Sequence, residues 1–166
     1  MKRAALITSA VLGLGSMVAD SIATELQLGS GAKESRFERE KRRISRQFEI
    51  SITTIEAISF VESTNNPRAK SSAGALGLMQ VMGNHAGSVL CPEAKKPDDL
   101  YNPAINIKCG ARILRGELDR YDDDLALALG AYNGGPKCVR GGKIICPAAK
   151  KYSDKVLMVL AQSLVK

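Results

Sequence analysis

The sequence predicts a mostly α fold with at most a few short strands. Apolar residues recur at steps of three and four in several separate stretches, the spacing of one helix face. No stretch alternates apolar and polar residues for long enough to build a substantial sheet. Asn-Pro, Ser, Asp and Gly stand where the periodic stretches begin or end, and these are the residues that open and close helices. At 166 residues the chain suits a single domain with a real core. Only 4% of its residues are aromatic and Trp is absent, so aliphatic side chains must fill that core.

The first residues place Lys2 and Arg3 ahead of an uncharged, mostly apolar run from Ala4 to Ala19, the layout of a secretory signal peptide. Small residues permit a cut after Ala19 or after Ala23. The run falls short of the about 20 apolar residues of a membrane span, although an uncleaved anchor is the alternative. The expected organisation is therefore a leader over 1–23, a polar linker over 24–35 and a folded domain over 36–166, exported to the periplasm and associated with the cell wall.

Within that domain, Phe37, Ile44 and Phe48 lie on one face of a charged helix from Arg36 to Phe48. Its default reading is a solvated amphipathic helix; docking to a membrane or polyanion through Lys41, Arg42, Arg43 and Arg46 is the alternative. Ile55, Ile58 and Val61 mark a second helix, with Ser51 or Thr53 as N-cap and Glu56 as a capping-box partner for Thr53. Pro67, Gly74 and Gly77 then break the period and predict an ordered loop. A looser helical pattern resumes over 78–90.

Asn102 and Pro103 open a third helix as N-cap and first helical residue, with Ile107, Ala111, Leu114, Leu118 and Tyr121 on one face. The next stretch, capped by Asp124, is apolar on every side and predicts a buried helix. Residues 138–146 suggest a small hairpin or loop. Tyr152, Val156, Val159, Leu160 and Leu164 line a closing helix.

Four cysteines in an exported chain point to two disulfides. Three pairings are possible. Cys91 with Cys109 and Cys138 with Cys146 are favoured because each closes a loop between helical stretches. A zinc site is not expected, since CxxC spacing is absent and His85 is the lone histidine. The net charge of +7 favours an anionic partner. Without an aromatic-rich basic motif, that partner is expected to be an envelope polymer or membrane surface and not nucleic acid.

Glu62 follows Ile58 by four residues, so it leaves the second helix on or near the apolar face. Burial there, and the negative end of the helix dipole, both favour its protonated form. That is the state a general acid occupies. The local pattern alone favours the plainer reading, an ordinary exposed helix-end residue or one that caps the following loop.

The stretch ESTNNPRAKSSAGALGLMQVM, followed by NPAINIKCGARILRGELDRY and then ALGAYNGGP, resembles the lytic transglycosylase family with a soluble-transglycosylase (SLT, goose-type-lysozyme-like) domain. The resemblance spans Phe37 to Tyr152 and rests on several linked motifs in order. It implies a lysozyme-like helical fold and cleavage of the β-1,4 bond between N-acetylmuramic acid and N-acetylglucosamine in peptidoglycan. Glu62 falls at the family's sole catalytic acid/base, and the bond is broken without water, leaving 1,6-anhydromuramyl ends.

By the same resemblance Ser71, Gln80, Met82, Tyr132 and Asn133 are substrate-binding positions. No metal and no cofactor are implied. The expected partner is the glycan strand, met by a monomer, with a secretion, conjugation or pilus machine as a further possible partner. A lysozyme-type hydrolase and a non-catalytic wall-binding or secretion-assembly module are the competing readings. After Met82 the family commonly has Pro-Gly-Thr, whereas this chain has Gly83, Asn84 and His85; His85 is read as a surface residue.

Overall fold

The computed structural model describes residues 34–163 and 165. The expected leader and nearly all of the linker lie outside them. Five helices carry the described fold: α1 (Arg36–Phe48), α2 (Ile52–Ser63), α3 (Pro103–Arg120), α4 (Leu125–Gly134) and α5 (Pro147–Ser163). Two antiparallel ribbons complete it, β1 (Ala75–Leu76) with β2 (Val81–Met82) and β3 (Val139–Arg140) with β4 (Lys143–Ile144). Among the described residues, no helix is long and apolar enough to cross a membrane.

Four of the five helices begin where a short polar side chain can cover free backbone amides. Ser35 accepts from the Glu38 amide, Ser51 from Thr54, Asn102 from Ala104 and Ile105, and Asp124 from Leu127. Ser51 is thus the cap of α2. Glu56 is not the capping-box partner of Thr53, because its carboxylate reaches Lys41 Nζ at 2.6 Å.

Helix α4 is the apolar rod around which the domain is built, with Ala128, Leu129 and Ala131 buried. It packs on both α3 and α5. Ile44 and Phe48 from α1, Ile55 and Ile58 from α2, Leu114 from α3 and Val156 from α5 join Met79, Val81 and Leu100 in one mainly aliphatic core.

Two sequence expectations change. Lys41 is only 8% exposed, and its ammonium is matched by Glu38 at 3.0 Å as well as by Glu56. Arg43 pairs with Glu40 at 2.6 Å. The Lys41 charge is spent inside the fold, so the docking role offered for it does not hold, whereas Arg43 stays on the surface in its pair with Glu40. The second change is over 78–90, where the loose helical pattern is absent. The chain there makes the β1–β2 turn, one 3-10 turn at Gly83–His85 and an irregular loop. The Met79 amide bonds to the Asn106 side chain instead of to a carbonyl one helical turn back.

Cys91 is bonded to Cys109 and Cys138 to Cys146, with Cα separations of 4.8 and 5.0 Å. The first ties the loop before α3 to that helix. The second closes the β3–β4 hairpin, seated between α4 and α5.

Candidate active site

Helix α2 delivers Glu62 as its penultimate residue. Ile55 and Ile58, fully buried, pin one face of α2 against the core. The helix stops because Thr64 and Asn65 turn left-handed, with φ of 54° and 60°, which ends the i to i−4 bonding. The carboxyl therefore sits at the lip where α2 gives way to the loop, mostly buried but not sealed.

The turn Leu78–Met79–Gln80 is clamped from three sides. Asn106 of α3, fully buried, accepts from the Met79 amide at 2.8 Å and donates to Leu76 O and Leu100 O, both at 2.8 Å. Ser63 Oγ of α2 donates to Leu78 O at 2.8 Å. Tyr132 Oη of α4 donates to Met79 O at 2.8 Å. Gly77 makes the first clamp possible. Its φ is +76°, and a Cβ there would fall 2.3 Å from Asn106 Nδ2, far inside contact distance. Met79 itself is wholly buried core.

The residues singled out from the sequence divide into two groups. Tyr132 lies close enough to Glu62 for the carboxylate to raise the phenol's pKa well above its ordinary value, after burial, which acts more strongly. Ser71 and Gln80 organise the loop instead. Ser71 Oγ accepts from the Ala75 amide at 3.0 Å, and Gln80 Nε2 donates to Gly77 O at 2.9 Å. Met82 ends the first ribbon 36% exposed, and Asn133 stands exposed on the last turn of α4. Both are open to a ligand, with no described hydrogen bond to Glu62. His85 is half-buried in its 3-10 turn.

Two residues of α5 complete the surroundings of Glu62, and neither was singled out as a site residue from the sequence. Burial pushes the carboxyl up to about 7 by penalising the ion. The Tyr152 hydroxyl and, more weakly, the Lys155 ammonium oppose it. Tyr152 Oη is buried and makes no hydrogen bond of regular geometry, yet it lies near enough to favour the carboxylate. Burial and the Glu62 charge drive its own pKa upward. The available signal was slight: Tyr152 is the polar tip in the otherwise aliphatic stripe of α5. Among the described residues, no second carboxylate acts on Glu62. Asp124 is held by its cap and Asp123 by Arg115.

A carboxyl about half protonated near neutral pH can give a proton and later take one back. Helical fold and lone buried acid together define a lysozyme-like domain. Residues 41–153 match the family model described as Transglycosylase SLT domain, and the chain belongs to that family. It is 37% identical over 113 residues to the transglycosylase of Enterobacteria phage PRD1, a match covering 68% of this chain and 38% of the phage protein. It is 35% identical over 102 residues to the soluble lytic murein transglycosylase of Salmonella typhimurium, covering 59% of this chain and 16% of that one. The matched region is thus well under half of either relative. Among solved structures, the 70 kDa soluble lytic transglycosylase SLT70 of Escherichia coli superposes with a TM-score of 0.66 at 27% identity, over 74% of this chain and 23% of that one. The soluble lytic transglycosylase in complex with bulgecin A gives 0.69 at 26% identity, over 78% and 24%.

Proposed function

We propose that this chain is a peptidoglycan lytic transglycosylase that cuts the bond between N-acetylmuramic acid and N-acetylglucosamine with Glu62 as its single acid/base. The observation carrying the proposal is the isolation of Glu62: a mostly buried carboxyl, held near neutral titration, with a tyrosine and a lysine acting on it and, among the described residues, no second carboxylate. The names of the family relatives support the substrate class.

The protonated Glu62 donates to the bridging oxygen as the C1–O bond breaks, and the muramyl 2-acetamido oxygen supports C1 from within the substrate. Glu62, now a carboxylate, takes the proton of the sugar's own C6 hydroxyl. That oxygen closes on C1 to give the 1,6-anhydro ring. Proton count and bond count balance without water, which removes the need for a second protein carboxylate. Tyr152 stabilises the ionised form, the state Glu62 occupies between the two transfers. Met82, Tyr132 and Asn133 line the approach, while Ser71 and Gln80 keep the loop in shape. Two disulfides suit an oxidising compartment, in keeping with export to the periplasm.

Mass spectrometry of digested sacculi tests the reaction. Anhydromuramyl ends are expected, lighter by one water than hydrolytic ends. Reducing-end muramyl products alone would refute the transglycosylase reading in favour of a hydrolase.

A further inference from the structure

We propose that the disulfide-closed β3–β4 hairpin is a membrane-docking element, whose basic outer face seats on a surface of anionic phospholipid while the cleft at Glu62 stays free.

Positive charge collects on this element without an acid to offset it. Residues 125–153 contain Lys137, Arg140, Lys143, Lys150 and Lys151 and no acid. Lys137, Arg140 and Lys143 fall in or beside the hairpin and are exposed. None of the three has an ion-pair partner among the described residues. The register sets Arg140 directly opposite Lys143, and like charges so placed destabilise a ribbon. The Cys138–Cys146 bridge holds the strands together against that repulsion. A hairpin tied covalently around facing cations is shaped to meet an anion outside this chain.

Packing fixes which way the hairpin faces. Val139 is buried and Ile144 half-buried. A Cβ added at Gly130 would lie 2.7 Å from Ile144 Cδ1, and one at Gly134 would lie 2.7 Å from Cys138 Sγ. The hairpin therefore rests on the Gly130–Gly134 face of α4. Tyr132, midway between those glycines, is turned about 200° from Gly130 at about 100° per residue. Its hydroxyl reaches Met79 O, in the turn beside the Glu62 site. Hairpin and cleft thus use opposite faces of α4, and docking through one does not occupy the other.

An apolar side chain selects a membrane over a soluble polyanion. The alternation that turns Ile144 inward places Ile145 on the outer side with Lys143, and Ile145 is 51% exposed. The basic face therefore carries a bare aliphatic group. Cations around an apolar side chain suit the headgroup boundary, where phosphates meet acyl chains. The carboxylates of a hydrated wall polymer would satisfy the cations and leave Ile145 in water.

The test measures co-sedimentation of the exported protein with vesicles of phosphatidylcholine, alone or mixed with phosphatidylglycerol. Binding to the mixed vesicles should exceed binding to the neutral ones and fall as salt rises. Each cation near an anionic surface contributes about fivefold in affinity, so Lys137→Gln, Arg140→Gln and Lys143→Gln combined should weaken that binding on the order of a hundredfold. A control loses the same charge from α1 and the loop before α3, through Arg36→Gln, Arg46→Gln and Lys96→Gln combined, and should weaken binding far less. Equal losses in the two triple variants would reduce the effect to net charge and overturn the docking element. Wild-type protein that does not distinguish the two vesicles overturns it as well. So does a hairpin variant that keeps its vesicle binding but loses binding to isolated sacculi, which would give the hairpin to the wall polymer. Lysis of isolated sacculi by the hairpin variant should equal that of wild type. The vesicle measurement does not depend on catalysis, so failure of the docking element and failure of the transglycosylase reading are told apart.

Discussion

Replacing Glu62 by Gln tests both the chemistry and the electrostatics of the site. The carboxyl titrates near 7 in the folded chain against an ordinary 4.5. At about 1.4 kcal/mol for each decade of proton affinity, ionising it in the folded protein costs about 3 kcal/mol. The sign follows from linkage. Between pH 4.5 and 7 the folded state holds the proton and the unfolded state has lost it, so the contribution of Glu62 to stability falls as pH rises. Below 4.5 both states are protonated and the penalty is absent; above 7 it is complete. Glu62→Gln removes the titration while keeping the shape. The stability difference between variant and wild type should therefore shift by about 3 kcal/mol in favour of the variant between pH 4.5 and pH 8, read from urea unfolding at both pH values. Taking the difference between pH values cancels any altered hydrogen bond to Tyr152. Wall lysis by the variant should be abolished at either pH. A stability difference that does not change with pH would show that the carboxyl is solvated, and undiminished lysis would remove its catalytic role.

Other perturbations reach the parts around it. Tyr152→Phe removes a group that favours the Glu62 carboxylate, so the alkaline limb of the pH-rate profile should move upward; a downward move would contradict the placement of Tyr152. Asn106→Ala leaves the Met79 amide and the Leu76 and Leu100 carbonyls without their buried partner. At about 1–3 kcal/mol for each unpaired group, a loss of at least about 3 kcal/mol is expected in denaturant unfolding, together with reduced lysis. Replacing both Cys138 and Cys146 by Ser opens the hairpin beside α4 and should cost about 2–3 kcal/mol, seen as a lowered melting temperature that reductant lowers further only through the remaining Cys91–Cys109 bridge. The wild-type protein should show no reactive thiol before reduction, by titration under denaturing conditions.

Local signals in the chain were enough for whatever depends on neighbours in sequence. Ser51, Asn102 and Asp124 cap helices because a short polar side chain can reach an amide two or three residues on, whatever the rest of the fold does. The β3–β4 hairpin follows from Gly141 and Gly142, both at positive φ, inside the 138–146 stretch. The linked motifs around Glu62 identified the family, since several short patterns in order carry information that one pattern does not.

Tertiary structure alone decided what depends on residues far apart in the chain. A pattern of charge cannot show that Lys41 is buried, because its partner Glu56 stands on another helix. The 78–90 stretch looks loosely helical until Asn106, 27 residues past Met79, takes the Met79 amide. Cysteine spacing allows three pairings, and the approach of Cys91 to Cys109 is a matter of how the loop folds onto α3. Glu62 is the clearest case. Sequence placed an acid at the end of an apolar helix face and left open whether it was buried. Packing of α4 and α5 brought Tyr132 and Tyr152 near it and left it mostly buried, and that desolvation, by elements far along the chain, raises its proton affinity.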